Sequence, residues 1–480
     1  MSKSYDTVVG LEVHIQLNTL SKAFCSDALS FGDAPNTHTS AISLAHPGTL
    51  PVVNQRQVDK AIKLGVALGC QINELNFFDR KHYFYPDLPK GYQITQDNEP
   101  ICIGGSLTIL VDGKEKVIKI HHIHMEEDAG KTVHDMDEQY SLVDLNRAGT
   151  PLLELVTEPD LASPEEVYQF ISELQKLLRY IDVSDADMEK GSMRCDCNVS
   201  VKPIGSPTLG ERCEIKNLNS KRFAREAVTY EAKRQIDLLE AGETISMQTR
   251  HYDVDKKITL ALRDKEGAED YRYLPDPDLA PIRISKEKLD SIIQEMPKMP
   301  WEVKKDLTDK HHLQPEIADL LISSPEMVDY FYELLEHTGD PRQSSNFMVN
   351  ILVPHLQEQQ LSLAQSPISV RSIVAYLALI KQEKVTASIA NQRLWPAMII
   401  EPHEAPDKLA QKLGIMINTD DSFIDDLIST VLDENPAQVA QYKKGKKNLI
   451  GFFVGAIMKK SKGSANPKAL QQKLKEKLDS

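Results

Sequence analysis

The sequence predicts an α+β domain followed by two all-α parts, and three observations support this fold class. Residues 7–17 alternate apolar and polar side chains with a period of two, which is typical of a strand with one buried face. Strand-like segments continue to about residue 290 without a regular strand–helix–strand rhythm, as in α+β proteins. Beyond that point, the apolar residues recur at helical spacing. The 480 residues are therefore expected to form three domains, at 1–293, 294–405 and 406–480.

Proline clusters mark both predicted boundaries, at 275–300 and at 402–406. Within the first domain, Ser163-Pro164-Glu165-Glu166 combines an N-cap, a first-turn proline and two acids that suit a helix N-terminus. A second helix is predicted from Ser220 to near Gly242. In the remaining chain, periodicity predicts helices at 315–321, 325–337, 345–359, 370–381, 423–432, 448–460 and 467–478.

Composition limits the class of protein. No apolar run approaches the roughly 20 residues that a membrane-spanning helix needs, and the N-terminus lacks a signal-type apolar region, so a cytoplasmic protein without membrane contact is expected. Six cysteines without a CxxC pair indicate reduced thiols. Cys195 and Cys197 share the apolar face of one predicted strand, which favours a core position over metal binding.

The charge is distributed unevenly along the chain. The net charge is −15, yet from Ala437 onward eleven lysines and two acids give +9, so the preceding residues carry −24. A basic tail on an acidic body indicates nucleic-acid contact through one element. Phe452, Phe453 and Ile457 are expected to form the core of this tail. Its predicted nucleic-acid-binding residues are Lys443, Lys444, Lys446, Lys447, Lys459, Lys460 and Lys462.

Polar side chains share one face of two predicted strands. Glu12 and His14 lie opposite the apolar face of the first strand, and Arg194 and Asp196 lie opposite the apolar face of a strand at 193–202. Several strands of one sheet are therefore expected to present charged groups to a common cleft. A half-solvated antiparallel sheet with outward polar residues is the alternative explanation.

Acidic residues between these strands extend the pattern. A strand that continues through Glu126 and Glu127 sends the two carboxylates to opposite faces, so at most one enters the cleft. Glu154 shares its face with Leu152 and Val156, and a carboxylate so placed must be paired, protonated or bound to a cation. An oxygen-rich site with one nitrogen ligand suits Mg²⁺ or Mn²⁺, and its candidate residues are Glu12, His14, Glu127, Glu154 and Asp196.

Eight ordered segments that include these residues resemble the signature blocks of one known family, the GatB subunits of the aspartyl/glutamyl-tRNA(Asn/Gln) amidotransferases. The resemblance extends from the first strand to the lysine-rich tail. The segments are V-G-L-E-V-H-I-Q-L (9–17), P-G-T-L-P-V-V-N (47–54), F-D-R-K-H-Y-F-Y-P-D-L-P-K-G-Y-Q-I (78–94), H-M-E-E-D-A-G-K (124–131), N-R-A-G-T-P-L-L-E-L-V-T-E-P-D (146–160), E-K-G-S-M-R-C-D (189–196), E-I-K-N-L-N-S (214–220) and Y-R-Y-L-P-D-P-D-L (271–279).

The resemblance implies a catalytic cradle related to glutamine synthetase, a helical domain and a small YqeY-like tail domain. It also implies carbon–nitrogen ligase activity that consumes ATP and requires Mg²⁺. In this reaction, ATP phosphorylates the side-chain carboxylate of Glu or Asp misacylated onto tRNA(Gln) or tRNA(Asn), and ammonia then displaces the phosphate. No GxGxxG or GxxxxGK[ST] segment is present, so another arrangement must hold the nucleotide.

The family's functional residues transfer to this sequence through the matching segments. The resemblance assigns the Mg²⁺ site to Glu12, His14, Glu127 and Glu154. It implies phosphate or nucleotide contacts for Arg147, Arg194 and Asp196. It places Lys81 and Lys90 where an ammonia passage meets the acceptor end of the tRNA, with Tyr83 as a stacking partner.

Two departures qualify the transfer. Many family members carry a cysteine-based zinc site after the first strand, but this chain has only Cys25 there, with Asp27, Ser40 and Ser43 at positions where other ligands are expected. No structural zinc is therefore predicted. The chain also lacks an amidase or glutaminase motif, so ammonia must come from a GatA-type glutaminase partner, joined by a small GatC-type subunit.

Two other functions compete with this one. A glutamine-synthetase-like ligase that acts on a free amino acid would not need the lysine tail. A non-catalytic tRNA-binding scaffold would leave the aligned Glu12, His14, Glu127 and Glu154 unexplained. Whether tRNA(Gln), tRNA(Asn) or both supply the substrate depends on the synthetases of the organism.

Overall fold

The computed structural model describes residues 5–134, 136–137, 139–264, 271–418, 421–461 and 464–479. These residues divide into two units, Met1–Pro300 and Trp301–Ser480. The division falls within the first proline cluster of the sequence. The further boundary at 405 stays a prediction.

A ten-stranded sheet dominates the first unit. Its strands run in the order β15-β14-β13-β12-β1-β11-β8-β6-β2, with β7 paired to β8. Small sheets pair β10 with β9, β17 with β3, and β4 with both β16 and β5. The strands are β1 (Tyr5–Gln16), β2 (Gln71–Ile72), β3 (Leu75–Asn76), β4 (Asp79–His82), β5 (Tyr92–Thr95), β6 (Cys102–Ile103), β7 (Ser106–Val111), β8 (Lys114–Glu127), β9 (Lys131–Val133), β10 (Leu142–Asp144), β11 (Pro151–Thr157), β12 (Met193–Pro203), β13 (Cys213–Leu218), β14 (Gln248–Asp253), β15 (Ile258–Asp264), β16 (Leu274–Pro275) and β17 (Ile282–Arg283).

The predicted N-terminal strand, β1, lies in the middle of this sheet between β11 and β12. Its apolar set, Val9, Leu11, Val13 and Ile15, is at most 1% exposed. The apolar residues of β12 are equally buried, and they include both Cys195 and Cys197. Because the two strands pair antiparallel in register, their apolar side chains form one continuous surface that faces the core. The alternation in the sequence therefore correctly identified the buried face.

Two of the four helices of the first unit begin where the sequence predicts. They are α2 (Pro164–Tyr180) and α3 (Lys221–Glu240), and the others are α1 (Gln55–Ala67) and α4 (Lys286–Glu295). The Ser163 side chain accepts a hydrogen bond from the Glu166 backbone N–H, and Ser220 caps α3 in the same way. Each serine satisfies a backbone donor that has no partner within the helix. The two helices pack on each other, and α3 also packs on β12.

A buried charge network fastens α3 to the edge of the sheet. Glu231 is fully buried and accepts hydrogen bonds from Arg234 (2.6 Å), Gln235 (2.9 Å) and Thr259 (2.7 Å), while Arg250 lies 3.3 Å away. Burial alone would raise the pKa of Glu231, but the Arg234 side chain and the other donors hold it below its usual value. Glu231→Gln is expected to lower the free energy of unfolding by about 3 kcal/mol at pH 7 because it leaves the buried Arg250 and the half-buried Arg234 without a counter-charge.

The expected loss depends on pH. A lowered carboxyl pKa contributes stability above the unfolded-state pKa of about 4.3, and this contribution disappears as pH falls through the folded-state pKa. Urea unfolding at pH 7 and at pH 4 should therefore show a smaller difference between Glu231→Gln and wild type at pH 4. Glu240→Gln, at the exposed end of the same helix, is the matched control and should change neither value. Equal losses at both pH values would contradict the ionised network.

Helices form the second unit. Six of them, α6, α7, α10, α14, α16 and α17, match the predicted positions to within two residues, whereas the helix predicted at 345–359 is divided by a π-helical turn at Met348–Leu352. The helices are α5 (Pro300–Asp309), α6 (Pro315–Leu321), α7 (Pro325–Thr338), α8 (Pro341–Phe347), α9 (Val353–Glu358), α10 (Val370–Lys381), α11 (Ala387–Ile389), α12 (Trp395–Ile400), α13 (Pro406–Lys412), α14 (Asp421–Glu434), α15 (Pro436–Lys443), α16 (Ile450–Lys460) and α17 (Pro467–Asp479).

The last four helices enclose a small core of their own. Phe453 and Ile457 of α16 are fully buried there, as predicted, among residues of α14, α15 and α17. The prediction that Phe452 joins them is wrong, because its position on the helix leaves it 45% exposed. Among the described residues, none of the helices has the length and apolar character needed to cross a bilayer.

Candidate active site

One face of the large sheet gathers the polar side chains of its central strands. The antiparallel register places His14 of β1 opposite Glu154 of β11 and opposite Arg194 of β12. Glu12 lies opposite Asp196 in the same way. Residues in register share a face because side chains alternate along each strand. The prediction that the two strands present charged groups to one face is therefore confirmed.

His14, Glu126 and Glu154 form a group that we call cluster 1. The His14 Nε2 atom lies 3.1 Å from Glu154 Oε2 and 3.8 Å from Glu126 Oε1. His124 borders the cluster, with its Nε2 atom 3.6 Å from Glu154 Oε2 and 3.7 Å from Glu126 Oε2. Glu154 thus has the partners that its apolar neighbours on β11 require. The three strands β1, β8 and β11 each contribute at least one member.

Opposite charges stabilise one another in cluster 1. Burial opposes a charge on His14, but the carboxylates of Glu154 and Glu126 outweigh it and raise the pKa of His14 to about 9. Burial likewise opposes a charge on Glu154, yet His124 and His14 hold the pKa of Glu154 far below its usual value. The carboxylate is therefore ionised at neutral pH, whereas the imidazole of His14 carries a proton that a metal ion would have to displace.

A second group, cluster 2, lies beside the first on the same face and comprises Glu12, Asp196 and Glu214. Lys216 of β13 bridges two of these carboxylates, with its Nζ atom 2.7 Å from Glu214 Oε1 and 3.3 Å from Asp196 Oδ2. The Asn198 amide donates a hydrogen bond of 2.8 Å to Glu12. Burial, followed by the neighbouring carboxylates, raises the pKa of Glu12. Negative charge therefore accumulates here beyond what one lysine neutralises.

Both clusters have the chemistry of a hard-cation site. In each, one ligand atom from every member lies within 4.8 Å of the others. The ligands of an octahedral Mg²⁺ ion lie about 2.1 Å from the metal, so small side-chain rotations would bring these atoms to ligand distances. Carboxylate oxygens with a single imidazole nitrogen suit Mg²⁺ or Mn²⁺ better than zinc. The residues present therefore fit the magnesium that the resemblance implies.

The structure places Glu126, rather than Glu127, in cluster 1. The two residues end β8 on opposite faces, and Glu127 turns away from the cleft. Its Oε1 atom accepts a hydrogen bond of 3.0 Å from the Ile94 backbone N–H and pairs with the Lys90 ammonium. The strand alternation predicted this separation but did not decide which residue enters the cleft. Glu127 is therefore not close to the other members of the Mg²⁺ site to which the resemblance assigned it.

Glu127 instead lines a cavity of about 210 Å³. The Lys22 side chain is fully buried beside it and donates hydrogen bonds to the carbonyls of His38 (2.7 Å) and Leu145 (3.1 Å). Two ammonium groups and two carboxylates thus share a small, partly open cavity with both polar and apolar walls. Its lining residues are Lys22, Phe24, Cys25, Ile42, Ser43, Ala45, His46, Thr49, Pro51, Leu88, Pro89, Lys90, Tyr92, Glu127, Asp128, Ala148 and Gly149.

Both predicted phosphate-binding arginines converge on Asp128. The Arg194 Nη2 atom lies 3.0 Å and the Arg147 Nε atom 3.7 Å from Asp128 Oδ2. Gln16 donates a further hydrogen bond of 2.7 Å to this carboxylate. Burial would raise the pKa of Asp128, but the two arginines lower it. Asp128 therefore orients both guanidinium groups at the end of the sheet that carries cluster 1.

Lys81 lies on β4 of the small sheet, and Tyr83 follows directly after the end of that strand. The Lys81 Nζ atom lies 4.7 Å from the centre of the Tyr271 ring. The Tyr83 hydroxyl lies 3.5 Å from Gln93 Oε1, and the Gln93 amide donates to the Glu127 carbonyl at 2.7 Å. The two residues therefore adjoin the strand that ends in Glu126 and Glu127.

Asp27, Ser40 and Ser43, the residues at positions where the resemblance implies other ligands, lie together. The Asp27 carboxylate accepts hydrogen bonds from the Ser43 hydroxyl (2.6 Å) and the Ser40 backbone N–H (2.9 Å). Lys22 lies 4.0 Å from the same carboxylate. Hydrogen bonds thus join the segment of Asp27 to that of Ser40 and Ser43. The absence of a structural zinc stays a prediction.

Six of the seven predicted nucleic-acid-binding lysines fall within the described residues, and all six lie on the surface of the second unit. Lys447 pairs with Asp479 and Lys460 pairs with Glu434. Lys462 lies outside the described residues. The remaining members of the set are exposed, and these are Lys443, Lys444, Lys446 and Lys459.

The sequence alone does not identify four residues that belong to the two clusters or contact them. It leaves Glu126 as an alternative to Glu127, and it does not single out His124, Glu214 or Lys216. The alternation of side chains along a strand could have identified them. His124 and Glu126 share one face of a strand, and Glu214 and Lys216 share one face of another. Only the pairing of distant strands shows that these faces are the same surface.

Family models match most of the chain. The model described as the GatB/GatE catalytic domain matches residues 7–290, which include both clusters. The model described as the GatB domain matches residues 329–478, which include the lysine-rich helices.

Curated relatives match the chain over nearly its full length. A protein of Prosthecochloris aestuarii is 43% identical over 476 residues, which cover 99% of this chain and 98% of the relative. Proteins of Bdellovibrio bacteriovorus and Legionella pneumophila are each 41% identical, with 99% of both chains covered. All three are named as the B subunit of an aspartyl/glutamyl-tRNA(Asn/Gln) amidotransferase. On the matches of both domains and of the full-length relatives, this chain belongs to the GatB family of amidotransferase subunits.

Proposed function

We propose that this chain is the component of a tRNA-dependent amidotransferase that activates and amidates Glu or Asp misacylated onto tRNA(Gln) or tRNA(Asn). The observation that carries the proposal is the pair of adjoining carboxylate clusters on one face of the central sheet. The names of the relatives support the reaction class. A cradle fold related to glutamine synthetase is part of the same proposal.

The reaction needs an activated carboxylate. Ammonia does not displace oxide from a carboxylate, so the γ-phosphoryl group of ATP is first transferred to a carboxylate oxygen, which releases ADP. Ammonia then attacks the carbonyl carbon, phosphate leaves with the bonding electron pair, and the excess ammonia protons pass to phosphate or solvent. Such phosphoryl transfer depends mainly on positioning and on electrostatic stabilisation.

The clusters supply the electrostatic part of this chemistry. Cluster 1 and cluster 2 would each hold one Mg²⁺ ion, with His14 as the nitrogen ligand of the first. A bound Mg²⁺ ion neutralises phosphate oxygens and so favours transfer. Arg194 and Arg147, oriented by Asp128, would contact the phosphates, and Asp196 would serve both cluster 2 and the nucleotide.

The cavity beside cluster 1 supports a route for ammonia. Lys90 and Glu127 line it, and Glu126 precedes Glu127 on the opposite face of the same strand. Ammonia from a GatA-type glutaminase subunit would enter here, with Lys81 near the acceptor end of the tRNA. A small GatC-type subunit would complete the assembly.

The source of ammonia provides the test of this proposal. The isolated full-length chain, given ATP, Mg²⁺ and Glu-tRNA(Gln) or Asp-tRNA(Asn), is expected to form the amide with ammonium chloride but not with glutamine, since the sequence contains no glutaminase motif. Addition of the partner subunits should enable the use of glutamine. Amide formation is measured by separating the amino acids released from the tRNA.

Three results would favour other functions. Glutamine-dependent amidation by this chain alone would overturn the need for a glutaminase partner. A chain that binds tRNA but, even in the complete assembly, hydrolyses no ATP in response to misacylated tRNA would be a scaffold. Equal turnover of free glutamate would indicate a glutamine-synthetase-like ligase.

A further inference from the structure

Four tyrosines form a continuous row along the small sheet, and we call them the tyrosine row. Tyr83 lies between Tyr85 and Tyr271, with ring centres 6.1 and 6.2 Å apart, and Tyr273 follows Tyr271 at 6.3 Å. Each pair meets edge to face, an arrangement that aromatic rings favour. The two ends of the row are the most accessible members, since Tyr85 is 64% and Tyr273 is 37% exposed.

The strand pairing explains why distant residues form one row. Leu274 pairs with Arg80, and the His82 backbone N–H donates to the Tyr271 carbonyl at 2.9 Å. This antiparallel register places Tyr271 beside Tyr83, so the odd-numbered residues of both segments share a face. The Lys81 ammonium lies over the Tyr271 ring in the same array, as a cation–π contact.

The tyrosine row adjoins the carboxylate clusters. Through Gln93, the Tyr83 hydroxyl connects to the Glu127 backbone, next to Glu126 of cluster 1. Burial, followed by the charges of Glu126 and other nearby carboxylates, raises the pKa of Tyr83, so its phenol stays protonated at neutral pH. The positive charge of Lys81 in turn reaches Glu154 of cluster 1. The row is therefore a neutral aromatic surface at the edge of the candidate reaction site.

Core packing accounts for only part of the row. A tyrosine that serves the core buries its ring, yet Tyr85 remains mostly exposed while its ring still contacts Tyr83. Exposed, mutually supporting rings beside a lysine are the arrangement with which proteins stack nucleobases. In the proposed reaction, the amino acid is esterified to the 3′-terminal adenosine of the tRNA, and the phosphate donor carries the same base. Either substrate therefore brings an adenine ring into the neighbourhood of the reacting groups, at the distance set by its ribose and linking groups.

We propose that the tyrosine row binds an adenine ring, supplied either by the 3′-terminal adenosine of the charged tRNA or by ATP, and thereby positions that substrate at cluster 1. The inference rests on the proposed function for the identity of the ligand. The exposed rings Tyr85 and Tyr273 provide the stacking surface, while Tyr83 and Tyr271 hold them in place.

Binding measurements on the full-length chain test this proposal. The probes are ATP with Mg²⁺, an RNA hairpin of the acceptor stem that ends in CCA, and the same hairpin ending in CC. Tyr85→Leu and Tyr273→Leu are expected to weaken binding of one adenine probe about tenfold, the loss expected for one stacked base. Tyr85→Phe and Tyr273→Phe keep the ring and should bind within about twofold of wild type. Tyr140→Leu, at an exposed tyrosine outside the row, is the matched control.

The two sources of adenine give different results. If the tRNA end is the ligand, the leucine variants lose affinity for the CCA hairpin and retain their affinity for ATP. They also bind the CCA and CC hairpins equally, because the leucine substitution and the loss of the terminal adenosine remove the same contact. If ATP is the ligand, only its affinity falls. Unchanged affinity for both probes in both leucine variants would overturn the proposal, as would an equal loss in Tyr140→Leu. These readouts require no amidation, so they separate this inference from the proposed function.

Discussion

Glu126→Gln is expected to lower the rate of ATP-dependent phosphate transfer about a thousandfold, the size of effect seen when one electrostatic group of an active site is removed. Glu126 lies on the cleft face, 3.8 Å from His14, and glutamine keeps its size but removes the negative charge that would hold a hard cation. The Mg²⁺ concentration for half-maximal ATP hydrolysis should therefore rise as well. Hydrolysis by the complete complex with misacylated tRNA, followed across a Mg²⁺ titration, measures both quantities.

The neighbouring residue provides the control for this experiment. Glu127→Gln makes the same chemical change one residue later, on the face that pairs with Lys90. It should leave the Mg²⁺ requirement unchanged, although the amidation rate at low ammonium concentration should fall if the cavity conducts ammonia. The reverse result, with a raised Mg²⁺ requirement in Glu127→Gln and a normal one in Glu126→Gln, would restore Glu127 to the metal site.

Replacing Lys443, Lys444 and Lys459 together by glutamine is expected to weaken tRNA binding at least tenfold and to reduce the slope of log affinity against log salt by about 2 to 3, or nearly one unit per lost phosphate contact. These lysines are exposed, whereas Lys447 and Lys460 are already paired with acids. Filter binding of charged tRNA at several salt concentrations measures affinity and slope together.

Substitution is preferable to truncation in this part of the chain. A deletion from Pro436 would remove α15, α16 and α17 and leave the buried side of α14 uncovered, so lost folding and lost charge could not be separated. The matched control replaces three exposed lysines of the first unit, Lys114, Lys119 and Lys233, by glutamine. An equal change in slope for both triple variants would assign the effect to net charge rather than to the tail.

Local patterns in the sequence were sufficient to predict individual elements. The two-residue period of β1 and the Ser163–Pro164 start of α2 each depend on interactions within a few residues, so both could be recognised without the fold. The break in the predicted helix at 345–359 has a local cause as well. Pro354 lacks a backbone N–H and its ring conflicts with the preceding turn, and the π-helical turn at Met348–Leu352 lies directly before it.

The composition of the candidate site could be predicted only in part, because it depends on pairing between strands far apart in the chain. Glu12, His14 and Asp196 were assigned correctly to a polar strand face, whereas Glu154 was recognised only as a carboxylate among apolar neighbours that needs a partner. The choice between Glu126 and Glu127 requires the register of β8 against β11, which places Glu126 opposite Leu152. No feature of the H-M-E-E-D segment alone sets that register. The same limit hid Glu214, which reaches the site through the pairing of β13 with β12.

The last two residues of β8 face different compartments. Glu126 points toward the carboxylate cleft, and Glu127 points toward the cavity that Lys22 and Lys90 line. At this position, a single peptide unit separates the cleft from the cavity. A backbone cannot rotate one of these residues without turning the other, since both depend on the same pleat. A displacement of the backbone at Glu127 on the cavity side therefore also displaces Glu126 in cluster 1. A shift of this strand end therefore alters both compartments, whereas a side-chain substitution such as Glu127→Gln alters only one.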